Sequence, residues 1–160
     1  MQRELLRAEL DLQRLYQELL PAVYRVAYTY MKNSFDSEDA AQEAFYRLAR
    51  HRGSFPDERA VKGWLIVTVS NVCKDMLRRR HREDEGLEEH PELLAPGMTD
   101  ETLLALMELP GKFKAALYLY YYEGYSVREI ARLSGKSEGT VKSWLARARA
   151  LLKRRLEEVP

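Results

Sequence analysis

Residues Ser126–Arg155 read SVREIARLSGKSEGTVKSWLARARALLKRR, and this stretch decides the fold. Ser126 with Glu129 three positions on forms a capping box, opening a short helix with Val127, Ile130, Ala131 and Leu133 turned inward. Gly135 permits a sharp turn, and Ser137 caps the helix that follows. Short helix, glycine turn, basic helix is the pattern of a helix-turn-helix. On the second helix Val141, Leu145, Ala148 and Leu152 share one face, which packs inward. The opposite face holds Gly139, Ser143, Ala146 and Ala150, small enough to let the backbone approach another surface. Lys142, Arg149 and Lys153 flank that strip on one side, Arg147 and Arg154 on the other. From Lys142 to Arg155 there are six cations and no acid. Two cationic rows bordering a small-residue strip match the two phosphate rows bordering a DNA major groove. A solvated helix end would explain the charge, but not the charge together with the capped helix and the turn.

The rest of the chain reads as helix as well. Pro110–Tyr122 and Asp100–Leu109 are expected helices, with Leu117, Tyr118 and Tyr121 assigned to the core. In the N-terminal half, Glu4–Leu20 has leucines at helical spacing, and Pro21 suits the first turn of a second helix. Asp36 or Ser37 is expected to cap a third, SEDAAQEAFYRLARHR, which Gly53 stops. Residues 60–82, AVKGWLIVTVSNVCKDMLRRRHR, are ambiguous, because LIVTV is rich in strand-forming residues. Val61, Leu65, Val69, Val72 and Met76 nevertheless keep a helical stripe, and helix is expected. Between the halves runs HREDEGLEEHPELLAPGMTD, with Gly86, Pro91, Pro96, Gly97 and no sustained periodicity, a linker by composition. The fold expected is all-α: two small helical domains, residues 1–82 and 100–160, joined by a flexible acidic linker at 83–99.

The net charge of +1 conceals a polarised layout. Residues 1–80 hold 14 Lys/Arg against 11 Asp/Glu, residues 81–100 one against seven, and residues 101–160 eleven against seven. Two basic halves therefore flank an anionic strip. The single cysteine, Cys73, rules out an internal disulfide framework and fits a reducing compartment. No apolar run approaches about 18 residues, and MQRELLRAEL lacks a signal-peptide core. The expectation is a cytoplasmic protein without membrane insertion. His51, His81 and His90 have no nucleophile or ligand partner at motif spacing, and no glycine-rich phosphate loop is present. No cofactor, metal site or enzymatic activity is expected. A stand-alone helix-turn-helix regulator is the alternative reading, but it leaves the N-terminal half without a role.

Three segments in order, SEDAAQEAFYRLAR, WLIVTVSNVCKDMLRRR and LPGKFKAALYLYYYEGYSVREIARLSGKSEGTVKSWLARAR, resemble bacterial RNA polymerase sigma factors of the extracytoplasmic-function (ECF) class of the sigma-70 superfamily. The resemblance covers nearly the whole chain. It implies an alternative-type sigma factor that directs core polymerase to specific promoters and opens the DNA. Asp39, Gln42, Glu43, Phe45 and Arg47 would contact the polymerase clamp helices. Phe55, Trp64, Asn71, Lys74, Asp75, Arg78, Arg79 and Arg80 would recognise and melt the minus-ten element, with the Gly53–Asp57 loop near a flipped base. Ser137, Gly139, Thr140, Lys142, Ser143, Arg147 and Arg149 would bind the minus-thirty-five element. The implied partners are core polymerase (clamp helices and flap), promoter DNA and an anti-sigma factor. The acidic linker would thread the channel that nascent RNA later occupies. By the helical wheel Trp144 lies at the edge of the buried face and is expected to pack.

Overall fold

The computed structural model describes residues 5–6, 10–83, 106 and 108–158. Of the linker expected at 83–99, Glu83 is instead the last residue of a helix, and the remainder, with most of the helix expected at Asp100–Leu109, lies outside the described residues. Six helices account for nearly all of the described chain: α1 (Leu12–Met31), α2 (Ser34–Ala49), α3 (Glu58–Glu83), α4 (Gly111–Tyr121), α5 (Val127–Ser134) and α6 (Glu138–Glu158). A two-residue antiparallel ladder, β1 (Leu5–Leu6) against β2 (Ser54–Phe55), pairs Leu5 with Phe55 and Leu6 with Ser54.

The N-terminal half departs from expectation in three respects: Leu5–Leu6, expected within a helix over Glu4–Leu20, is a strand, and α1 and the cap of α2 differ as follows. A single helix runs from Leu12 to Met31 straight through Pro21, where two helices were expected. Pro21 lacks the N–H that would bond the carbonyl of Gln17. It is exposed, so the loss falls on the solvent side, while buried Leu15, Ala22, Val23, Val26 and Ala27 carry the apolar stripe across it. Asp11 caps α1 by accepting from the Arg14 N–H at 3.1 Å. Lys32, in the left-handed region at φ 61°, ends it by donating its N–H to the Tyr28 carbonyl. The cap of α2 is Asn33, whose side chain accepts from the Asp36 N–H at 2.8 Å. Asp36 itself lies in the first turn, where its charge suits the helix dipole.

The LIVTV run is helical. Val61, Leu65, Ile66, Val69, Val72 and Cys73 are all buried on one side of α3, so tertiary burial overrides strand propensity. The helix-turn-helix forms as read. Ser126 and Glu129 complete both halves of the capping box, Gly135 adopts φ 67°, and Ser137 Oγ accepts from the Thr140 N–H at 3.1 Å.

α1, α2 and α3 pack on one another as one helical group, and α4, α5 and α6 as a second. The two groups are themselves in contact, α3 against α4 and α5 and α1 against α4, so one continuous apolar cluster spans both. Leu117 and Tyr118 are buried as expected, but Tyr121 is 49% exposed at the last residue of α4. The chain turns there, and Tyr125, beyond Gly124, takes the buried place.

Candidate nucleic-acid interface

The basic helix α6 has two distinct faces. Val141, Leu145 and Ala148 are buried, and Trp144, Leu151 and Leu152 are partly buried against the core. Gly139, Lys142, Ser143, Ala146, Arg147, Arg149 and Ala150 are exposed on the other side. Among the described residues no ion pair engages Lys142, Arg147, Arg149, Lys153 or Arg154. Arg149 makes one long hydrogen bond, donating to Tyr121 Oη at 3.4 Å. Ser137 and Thr140 are committed to each other, their hydroxyls 2.9 Å apart, and fix the helix start rather than projecting freely. A phosphate approaching this face displaces no protein partner from Lys142 or Arg147.

α3 supplies a second polar face. Asn71, Lys74, Asp75 and Arg78 recur at helical spacing, and Asn71, Arg78 and Arg79 are exposed. The four cations of this helix end, Lys74, Arg78, Arg79 and Arg80, are not equivalent. Arg78 pairs with Asp75 one turn back. Arg80 is held 2.5 Å from Asp36, whose other contact is the Asn33 side chain at 2.7 Å, so it ties α3 to the start of α2. Lys74 is half-buried beside Gly111 of α4, and burial, then Arg78 and Lys136, lower its pKa. Arg79 remains exposed, with no ion pair among the described residues.

At the other end of α3 three rings cluster. The His51 centroid lies 4.9 Å from Phe55 and 4.9 Å from Trp64, with Phe55 and Trp64 6.0 Å apart and nearly perpendicular. Phe55 is buried beneath this cluster by its place in β2, whereas His51 and Trp64 are partly exposed. The sequence reading missed His51. Its one signal was Gly53, where a Cβ would sit 2.7 Å from His51 Nε2.

On α2, Asp39, Gln42, Glu43 and Arg47 are exposed, Glu43 and Arg47 pair at 3.1 Å, and Phe45 is half-buried edge-on to Tyr16 at 4.9 Å. The sequence reading also missed Phe35 and Tyr46, exposed at 74% and 56%. Their spacing supplied the signal, since Phe35, Asp39, Gln42 and Tyr46 fall on one helical face. Beside them an open groove of about 430 Å³ is lined by Tyr16, Leu20, Pro21, Tyr24, Arg25, Glu38 and Gln42. Exposed aromatics rimmed by polar residues mark a protein-docking surface. Among the described residues no group of three His, Cys, Asp or Glu stands close enough to hold a metal, and no helix is long and apolar enough to cross a membrane.

Comparison with known proteins places these faces in context. Sigma-70 region 2 matches residues 15–83, and Sigma-70 region 4 matches residues 99–152. The chain is 39% identical to the ECF RNA polymerase sigma factor SigM of Mycobacterium tuberculosis, over 84% of this chain and 71% of that protein. It is 30% identical to the RNA polymerase sigma factor SigV of Bacillus subtilis, over 81% of each. In fold it resembles the sigma factor RpoE of Bartonella quintana, solved with the anti-sigma factor NepR, at a TM-score of 0.68 and 24% identity over 94% of this chain and 99% of that one. The two helical groups therefore correspond in order to two successive regions of one family, and the chain belongs to the sigma-70 family, in its ECF class of RNA polymerase sigma factors.

Proposed function

We propose that this chain joins core RNA polymerase, directs it to specific promoters and opens the DNA there. Residues 1–82 form the module that grips core and reads the minus-ten element, and residues 100–160 the module that reads the minus-thirty-five element. Residues 83–99 connect them. The outer face of α2, with Asp39, Gln42, Glu43 and Arg47 beside exposed Phe35 and Tyr46, docks on the clamp helices. The polar face of α3 follows the separated strands, with Asn71 and Arg79 outward and Trp64 and His51 as the stacking surface for an unpaired base. Unstacking costs a few kcal/mol per step, which contact with polymerase and phosphate offsets. α6 enters the major groove with Lys142, Ser143 and Arg147. Promoter DNA, the flap of core and an anti-sigma factor are the further partners. The work is binding and strand separation, with no catalytic residue and no cofactor, carried out where polymerase acts, in the cytoplasm.

One observation carries this reading: exposed Lys142 and Arg147, free of protein ion pairs among the described residues, share a chain with an exposed aromatic surface on α2. A stand-alone regulator would use the first and leave the second without purpose. Co-purification separates the two. The full chain mixed with core polymerase is expected to elute with it, and a chain that elutes alone refutes the reading.

A further inference from the structure

Three arginines in a row, Arg78, Arg79 and Arg80, cannot share one face of α3, because successive residues turn about 100° around a helix. Arg78 and Arg79 are exposed, and Arg80 turns toward α2. Its Nη2 lies 2.5 Å from Asp36 Oδ2, and the two side chains are only 24% and 14% exposed. The same oxygen accepts from Asn33 Nδ2 at 2.7 Å. Asn33 also donates to the Met31 carbonyl at 3.0 Å and accepts from the Asp36 N–H at 2.8 Å. The carboxylate is thus fastened at the turn joining α1 to α2, and there it receives Arg80 from α3. One polar knot holds three helices.

The knot sits where apolar packing gives out. Val72 and Cys73 are the last buried apolar residues of α3, and Met76 is the last to pack against the core. Leu77 is 37% exposed, and Arg78 and Arg79 lie outward beyond it. Among the described residues, the Arg80–Asp36 pair is the one ion pair that joins α3 to another helix past that point. A helix end with few buried contacts opens at little cost. A sheltered pair restrains it better than an exposed one, because parting leaves two half-buried charges without partners.

We propose that Arg80 is a positioning residue rather than a phosphate contact: with Asp36 it fixes the end of α3 to the start of α2, so that a chain docked through α2 presents Arg78 and Arg79 to the DNA at a set angle. The role in opening rests on the function proposed above. The resemblance implies that all three arginines bind DNA, and their partners separate them. Arg80 is committed to Asp36, Arg78 shares its charge with Asp75, and Arg79 has no ion pair among the described residues. Arg79 is therefore the member of the run that neutralises a phosphate at no cost in protein contacts.

The test uses the full chain with Arg80→Gln, Asp36→Asn, the two combined, and Arg79→Ala. Asp36→Asn discriminates best, because a carboxylate holds no phosphate and the amide keeps its shape. Amide hydrogen exchange reads the end of α3 in the free chain, and circular dichroism checks helix content. With core polymerase, a fluorescent base in the minus-ten element of a promoter selected by wild type reads opening. Arg80→Gln and Asp36→Asn are each expected to speed exchange at Leu77–Arg80 several-fold and to slow opening several-fold. Affinity for core and the salt slope of promoter binding stay at wild type, and the double variant is no slower than either single one. Arg79→Ala is expected to lower that slope by about one. Wild-type opening by Asp36→Asn, or a slope lowered by about one in Arg80→Gln, would overturn the positioning role. Unchanged exchange in both single variants would overturn the tie itself. A wild type that opens no promoter would sink the proposed function and the positioning role with it, while exchange still decides the tie.

Discussion

Arg147 carries the sharpest expectation at the scale of single residues. It is exposed on the outward side of α6 with no protein ion pair among the described residues. Arg147→Ala should therefore weaken binding to a cognate promoter by about 1–3 kcal/mol and leave folding untouched. Equal losses on cognate and random duplexes in an anisotropy titration would reduce it to a backbone contact. Its exposure was legible in sequence because that depends only on what its own helix turns outward. Arg80 and His51 were not legible for the same reason reversed. The partner of Arg80, Asp36, lies on another helix, and His51 gains its place only when Phe55 and Trp64 close around it. A run of arginines reads as one feature, yet tertiary pairing separates its members.

At the scale of elements, the cap of α5 is the part most open to measurement. Ser126 Oγ accepts from the Glu129 N–H at 3.1 Å, and Glu129 Oε1 accepts from the Ser126 N–H at 3.0 Å. The Arg59 guanidinium, then the Ser126 N–H, hold the Glu129 carboxyl down to about 2. Ser126→Ala should cost about 1 kcal/mol, seen as a melting temperature lower by about 2–4 °C. An unchanged melting curve would mean that tertiary packing alone sets this helix. The box, the glycine turn and the basic helix were readable because their signals are local. α1 was misread at Pro21 and α3 was ambiguous at LIVTV for a common reason. In both, the deciding force is burial against a distant helix, which outweighs the local preference of a proline or a β-branched run.

For the molecule as a whole, the sequence foresaw two helical groups but not their contact, since the partners lie more than sixty positions apart, as Arg59 and Glu129 do. That contact buries Lys114 of α4, which donates to the Thr29 carbonyl and lies 4.7 Å over the Tyr30 ring. Burial first, then Lys32, lower its pKa to about 7, while the facing Cys73 thiol is pushed up to about 12 and the Tyr30 hydroxyl is raised as well. On unfolding, Lys114 returns toward its ordinary value of 10.5 and binds a proton that the folded form refuses. The folded chain should thus gain stability as pH rises from about 7 to about 10, and level off below 7, where folded and unfolded forms are both charged. Lys114→Met should flatten that part of a denaturant-midpoint profile, and a slope equal to wild type would assign it to other groups.

The central claim is that these two groups together bring polymerase to a promoter and part its strands. Run-off transcription by core polymerase with this chain, on a library of random upstream sequences, tests it most directly. The account predicts transcripts whose templates share two separated motifs, each start preceded by an opened segment. Transcripts no more abundant than with core alone, or templates sharing only a single motif, would contradict it.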